Sequence, residues 1–427
     1  MISIELLRNN PEILEQGLKN RGEESSIQKI LKYDDTRRKN IVENDELKRQ
    51  RNEVSKSIGA RRSKGEFVNE SELKLMKEVG TKIADLDNEI KDIEFNMHEL
   101  LSRVPNIPES DVPIGKDEND NPVIRQHGEK PKFSFDLESH WDIGERLDII
   151  DLPRGAKLSG SRFYTLKGLG SKLERALIAW MLDYHTNKHN YTEVSVPYLV
   201  RQEIIYGSGN LPKFGDNLYH DTEDDLWLIP TAEVPITGLH KDEILELSEL
   251  PKYYVAHTPC FRREQAAAGR DTRGIKRVHQ FNKVEMYKIV DPETSDHELD
   301  TLLSNAEDIC EELGLTYRIV QLCTGDISFV SAKSFDIEIW AAGCEEWLEV
   351  STCSNCTDFQ ARRTSLRYRP DINSKPQFVH TLNGSGLAIP RVMIAILENY
   401  QQSDGSIVIP EILRPYTGFD RIGPSKL

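Results

Sequence analysis

Between Ser71 and Leu101 the apolar residues Leu73, Met76, Val79, Ile83, Leu86, Ile90, Ile93, Met97 and Leu100 recur at steps of three and four, alternating from Met76 onward. A heptad seam of this length is satisfied by a long helix lying against a helical partner. The partner is upstream. Ile27 to Ile58 is proline-free and rich in helix formers, with Ile30, Tyr33, Leu47, Val54 and Ile58 at compatible positions but Arg37, Asn40, Asn44 and Arg51 between them, so its seam is weaker and wetter. Gly59, Gly65 and the polar stretch to Ser71 separate the two, which predicts an antiparallel helical hairpin over 27–101 with its tip near residues 60–70. An arm of about 30 residues reaches roughly 45 Å.

The two helices carry opposite charge. Residues 37–64 hold ten Lys or Arg against four Asp or Glu, and residues 66–99 hold four against ten, or +6 and −6. Opposite charges could simply pair across the seam. Yet Arg37, Arg38, Lys48, Arg49, Arg51, Lys56, Arg61, Arg62 and Lys64 exceed what a seam partner requires, so some should face outward as a basic prong for a phosphate backbone. The whole chain has a net charge of −16, which argues against a general nucleic-acid coat and leaves room for a local basic face.

The hairpin ends at Pro105-Asn106-Ile107-Pro108, and the stretch to about Phe133 is rich in Pro, Asp, Asn and Gly with little periodicity. This divides the chain into an N-terminal domain over 1–104, a linker over 105–133 and a large domain over 134–427. In the last, short Val, Ile and Tyr runs alternate with helical segments such as 170–187 and 295–313, the pattern of a mixed α+β domain. Charged residues make up 30% of the chain and its mean hydropathy is −0.54. No apolar run approaches the roughly 18 to 20 residues of a membrane span. The first residues resemble neither a secretory signal nor a transit peptide. The six cysteines are too irregular for a disulfide framework, and a cytoplasmic protein with reduced thiols is expected.

The densest chemistry lies over 258–285, which reads Thr-Pro-Cys-Phe-Arg-Arg-Glu, then Gln-Ala-Ala-Ala-Gly-Arg-Asp-Thr-Arg-Gly-Ile-Lys-Arg, then Val-His-Gln-Phe-Asn-Lys-Val-Glu. The layout predicts strand, basic loop, strand. Arg270, Arg273, Lys276 and Arg277 supply cations for phosphates, while Arg262, Glu264, His279 and Glu285 at the strand ends go beyond what a solvated hairpin needs.

These three parts resemble motif 2 of the seryl-tRNA synthetases, and other segments follow in the family's order. Residues 168–197 resemble the helix and Pro-ending strand of class II motif 1, which implies a homodimer. Thr231-Ala232-Glu233 is similar to the serine-binding tripeptide. Glu349-Val350-Ser351-Thr352 resembles the ATP and Mg²⁺ segment, usually Glu-Val-Ser-Ser, with Thr352 keeping the oxygen. Asn383-Gly384-Ser385-Gly386-Leu387-Ala388 with Arg391 resembles motif 3 over 383–400, with Pro390 where glycine is more usual, a tolerable proline in a helix's first turn. The resemblance implies a class II catalytic domain on an antiparallel β-sheet flanked by helices.

It also implies roles. Serine would contact Thr231, Ala232, Glu233, Arg262, Glu285, Asn383 and Ser385. ATP would contact Arg262, Arg263, Glu264, Val278, Phe281, Glu349, Val350, Ser351, Thr352 and Arg391, with adenine on Phe281. Arg262, Glu349 and Arg391 would carry catalysis, and Glu349 with Thr352 would hold Mg²⁺. Transfer RNA for serine would meet Arg37, Arg38, Arg49, Arg51, Lys56, Arg61 and Arg62 on the arm and Arg270, Arg273 and Lys276 on the loop, with selenocysteine transfer RNA open as a second acceptor. No zinc is expected, because Cys353-x-x-Cys356 lacks the second pair that a structural site uses. Competing readings are a carrier-protein ligase, which would lack the arm, an inactive RNA-binding homologue, and a class II enzyme for threonine or proline.

Overall fold

The computed structural model describes residues 1–265 and 272–423, so Arg270 lies outside the described residues. The chain forms two compact units. One is Ile2–Lys19 with Glu23–Pro105, and the other is Met1, Asn20–Gly22 and Asn106–Leu427.

In the first unit Ile4–Asn9 (α1) and Pro11–Asn20 (α2) precede two long helices, Ile27–Ser63 (α3) and Glu70–Leu101 (α4). With 37 residues α3 is about 55 Å long. The hairpin is antiparallel. Arg37 pairs with Glu94 at 2.8 Å near its base, Lys48 with Asp87 at 2.9 Å midway and Arg61 with Glu72 at 2.8 Å near the tip. Ile30, Ile58, Ile83, Leu86 and Ile93 fill the seam, while Leu73, close to the tip, stays 40% exposed. Asn44 is buried and its Nδ2 donates to Asp87 at 2.7 Å, so α3 contributes a polar rung where α4 contributes apolar ones. Asn69 caps α4 by accepting the Ser71 N–H, and Glu70 and Glu72 in its first turn suit the helix dipole. At the base, Arg8 grips the buried Asp34 through two bonds of 2.7 and 2.6 Å and holds its carboxyl below the usual range.

The second unit is built on an eight-stranded sheet. In chain order its strands are Val123–His127 (β1), Thr192–Glu193 (β2), Lys252–Phe261 (β3), Gln280–Val290 (β4), Tyr317–Gln321 (β5), Lys333–Ala341 (β6), Glu346–Asn355 (β7) and His380–Ala388 (β8). They lie in the order β1-β5-β6-β7-β8-β4-β3-β2, antiparallel except for the β2–β3 pair. Helices Gly168–Lys188 (α5), Ser295–Glu312 (α6) and Ile389–Asn399 (α7) pack their apolar residues, among them Leu177, Leu302 and Ile394, into one large core with the sheet. A smaller core around Ile236, Tyr287, Ile289 and Tyr368 forms separately.

Within the expected linker the structure has strand β1, which pairs with β5 at the sheet edge. All five of its residues are exposed, so it carries no alternation for a sequence reading to detect. The ladder offered by β5 makes it a strand.

Candidate active site

Strand alternation aims the site. On β4 the even residues Val284, Met286 and Val290 enter the main core. The odd residues Phe281, Lys283 and Glu285 line a cavity of about 320 Å³ on the other face. On β8, Asn383 and Ser385 line the same cavity, and the intervening glycines face the helices. A Cβ on Gly384 would lie 2.9 Å from Sγ of Cys353, and one on Gly386 would lie 2.6 Å from Nε2 of His185. The Asn-Gly-Ser-Gly run is thus two polar side chains set between two positions with no room for one.

On β7 a bulge falls at Val350, because Ile337 pairs with Ser351 and Glu338 with Glu349. Residues three apart on a regular strand face opposite ways, and the bulge brings Glu349 and Thr352 to one side. The Thr352 hydroxyl donates to Oε1 of Glu349 at 3.4 Å.

One end of the cavity is rich in carboxylates. Thr231 donates from Oγ1 to Oε2 of Glu285 at 3.0 Å and accepts the Glu233 N–H at 3.2 Å. Oε1 of Glu233 accepts Nε2 of Gln360 at 2.6 Å and Nδ2 of Asn383 at 3.2 Å. Burial and the neighbouring Glu285 push the Glu233 carboxyl up to about 7. Lys283 closes an ion pair with Glu285, both side chains being buried. Such a pocket suits a small molecule bearing an ammonium and a hydroxyl.

The other end is cationic. Arg262, Arg277 and Arg391 converge there with Glu264, Val278 and Phe281. The Arg262 guanidinium lies 5.2 Å from the Phe281 ring centre, and its Nε donates to the Pro230 carbonyl at 3.2 Å. Arg391 donates to the Glu349 carbonyl at 2.5 Å and lies 3.5 Å from its carboxylate. Partial burial opposes ionisation of Glu349, but Arg391, Arg262 and Arg277 outweigh it and hold the carboxyl below its ordinary range. A wider cavity of about 800 Å³ shares Arg277, Glu349, Thr352 and Arg391 with this end.

The remaining expected site residues divide between the cavity wall and positions outside it. Ala232 is fully buried in the smaller core. Arg263 turns away, with Nε donating to the Leu218 carbonyl at 2.8 Å and its guanidinium over Tyr219. Val350 lines the cavity, but Ser351 points to the core side of β7 and its hydroxyl donates to the Ser385 carbonyl at 2.6 Å. Lys276 is 7% exposed, paired with Glu346 inside the cavity wall, and Arg273 lies over the Trp141 ring. On the arm Arg38 pairs with Asp34 and Asp35, and Arg49 with Glu46 and Glu53. Among the described residues Lys56 and Arg62 are exposed and Arg51 half-buried, all three without an ion pair.

Three participants escaped the sequence reading. Lys283 sits at the period-two position between Phe281 and Glu285, a signal that was available. Gln360 lies on the short helix Phe359–Thr364 and Asp336 on β6, and nothing in their local sequence marks them. Asp336 stands opposite Thr352, its carboxyl pushed well up by burial and by Glu349, and its buried Oδ1 has no hydrogen-bond partner among the described residues. All six cysteines are free. Among the described residues the cluster His140, Cys344 and Glu398 could gather on a cation, and Cys353 and Cys356 are not part of it.

An antiparallel sheet whose inner strands carry one cavity, rich in carboxylates at one end and in arginines at the other, is consistent with a class II aminoacyl-tRNA synthetase core. Residues 216–400 match the family profile described as tRNA synthetase class II core domain (G, H, P, S and T), and residues 1–108 match the seryl-tRNA synthetase N-terminal domain. The serine--tRNA ligase of Thermomicrobium roseum is 55% identical over 418 residues, 98% of this chain and 94% of that protein. That of Dehalococcoides mccartyi is 52% identical over 422 residues, 99% of this chain and 100% of that protein. The structure of seryl-tRNA synthetase from Pyrococcus horikoshii complexed with ATP shares 41% identity and a TM-score of 0.94, covering 100% of both chains. The chain belongs to the seryl-tRNA synthetase family. The carrier-protein, inactive-homologue and other-amino-acid readings are not favoured.

Proposed function

We propose that this chain is a serine--tRNA ligase whose cavity holds L-serine at the carboxylate-rich end and ATP at the cationic end. The observation that carries this is the convergence in one cavity of Thr231, Glu233, Glu285, Asn383 and Ser385 with Arg262, Phe281, Glu349, Thr352 and Arg391. A serine carboxylate oxygen bonds to the α-phosphorus of ATP, and the bond from that phosphorus to the pyrophosphate oxygen breaks. The 3′-hydroxyl of the terminal adenosine of transfer RNA then takes the seryl carbon, and AMP leaves. Both nucleophiles belong to substrates, so the protein's work is positioning and charge stabilisation.

Arg262 spreads the charge that develops on the α-phosphate, Arg391 takes the far phosphate, and Phe281 gives adenine a face to stack on, with Glu264 and the backbone near Val278 at its edge. Glu233 and Glu285 take the serine ammonium and hydroxyl. Glu349 and Thr352 present hard oxygens on one face beside the unpartnered Oδ1 of Asp336, a donor set that fits Mg²⁺ and would neutralise phosphate charge. No zinc enters the scheme. The enzyme works as a homodimer through the α5 region, in the cytoplasm, and Arg51, Lys56 and Arg62 on the arm meet the backbone of serine transfer RNA.

The test is serine-dependent exchange of pyrophosphate into ATP by the full-length chain, followed by charging of deacylated total transfer RNA, with alanine and threonine in parallel. Serine alone should support both. Exchange without charging would point to a different acceptor, and no exchange would sink the reading.

A further inference from the structure

His140 and Trp141 lie on none of the strands that line the cavity, yet separate contacts tie them to the loop that does. His140 is fully buried at the start of the short helix His140–Arg146. Its Nε2 accepts the backbone N–H of Ile275 at 3.2 Å. A backbone N–H can only donate, so Nε2 must offer its lone pair and the ring proton must sit on Nδ1.

Nδ1 faces Oε1 of Glu398 at 2.8 Å, and that carboxylate also accepts the backbone N–H groups of His140 at 2.9 Å and Cys344 at 3.0 Å. The Cys344 thiol donates to the same Oε1 at 3.0 Å, and burial with the nearby Glu398 pushes it up to about 12. Burial alone would raise Glu398, but its donors, His140 first, hold it below the ordinary range. The three groups satisfy one another, so this cluster orients a ring rather than awaiting a cation.

Gly274 packs against the Nε2 edge of that ring with φ +63°, and a Cβ there would stand 2.0 Å from Nε2. Beside it, the Trp141 ring carries the Arg273 guanidinium at 4.7 Å and Nζ of Lys276 at 5.3 Å. The chain leaving this seat is Ile275-Lys276-Arg277-Val278, and all four residues line the cavity.

We infer that His140 and Trp141 are positioning residues for adenylate formation, seating the limb 273–278 against ATP, and that Glu398 acts through the tautomer it imposes on His140. The inference rests on ATP occupying the cationic end of the cavity. Glu398→Gln keeps the side-chain shape but loses the charge and one acceptor: with the amide oxygen on the His140 N–H and Nδ1–H, its NH2 opposes the Cys344 N–H, so the anchor that fixes the His140 ring and its Nδ1 proton is loosened. Trp141→Leu removes the ring face and leaves His140 in place, and Trp141→Phe restores a face.

The experiment is pyrophosphate exchange by full-length variants, with KM for ATP and for serine measured separately alongside melting temperature. Glu398→Gln and Trp141→Leu should each raise the KM for ATP by roughly tenfold, the effect of one lost positioned hydrogen bond or stacked cation. The KM for serine should stay near that of the unmodified chain, and Trp141→Phe should recover most of the loss. Trypsin should also cut after Arg273 faster in the two impaired variants. Folded variants with an unchanged KM for ATP would overturn the inference. So would parallel rises in both KM values with a fall in melting temperature and no recovery in Trp141→Phe, which mark a merely structural role. If Glu398→Gln does not fold, the half-buried Trp141 decides. Should the unmodified chain show no serine-dependent exchange, it is the assignment of the cavity that fails.

Discussion

One side-chain type serves the second unit in different ways, according to its neighbours. Glu349 is held ionised by the arginines around it, Glu285 is matched by Lys283, and Glu233 is left with a carboxyl at about 7. That last value carries a sign. A folded carboxyl raised above its ordinary 4.5 binds an extra proton between the two values, so the empty protein loses stability as pH rises through that window. Serine brings an ammonium that needs the ionised form. The KM for serine should therefore climb by up to tenfold for each pH unit below about 7, and Glu233→Gln should show a raised KM with no such slope. A slope that persists in Glu233→Gln would assign the proton elsewhere. Arg391→Ala should lower exchange by about a hundredfold, if removing one preorganised charge costs as much as removing a single oxyanion-type donor; a loss below about threefold would move it out of the site.

Elements decide which residues meet. The glycines of β8 are there because α6 and α5 press on the sheet, and Gly384→Ala drives a methyl into Sγ of Cys353 and Cγ of Leu302. Overpacking of this kind costs about 1 to 3 kcal/mol, and urea unfolding of the second unit should register it. At the base of the arm, Arg8→Ala leaves Asp34, whose side chain is 1% exposed, with only Arg38. A loss of about 2 kcal/mol is expected, and circular dichroism of the helices should follow it. Much of this scale was legible. The heptad seam foretold α3 and α4, and the strand-loop-strand pattern foretold β3 and β4 as neighbours. The exposed β1 and the bulge at Val350 were not legible, since pairing with β5 and β6 creates them.

For the molecule as a whole the relevant quantity is charge in space. A net charge of −16 conceals a helix whose cations are partly spent on the opposing helix and partly unspent. Replacing Arg51, Lys56 and Arg62 together with alanine should lower charging efficiency. It should also flatten its dependence on salt by roughly two to three units in the log–log slope, one per lost phosphate contact. The exchange reaction, which uses no RNA, is the reference; equal salt slopes would remove the arm from the RNA interface. Residue order alone determined the hairpin, the α+β sheet and the family's motifs, because heptads, alternation and fixed spacings are local properties of a chain. Only the tertiary structure decided that Lys283, Gln360 and Asp336 join the site and that Arg263 and Ser351 turn from it. A side chain's partner is set by the strand or helix packed against it, and that neighbour is far away in sequence.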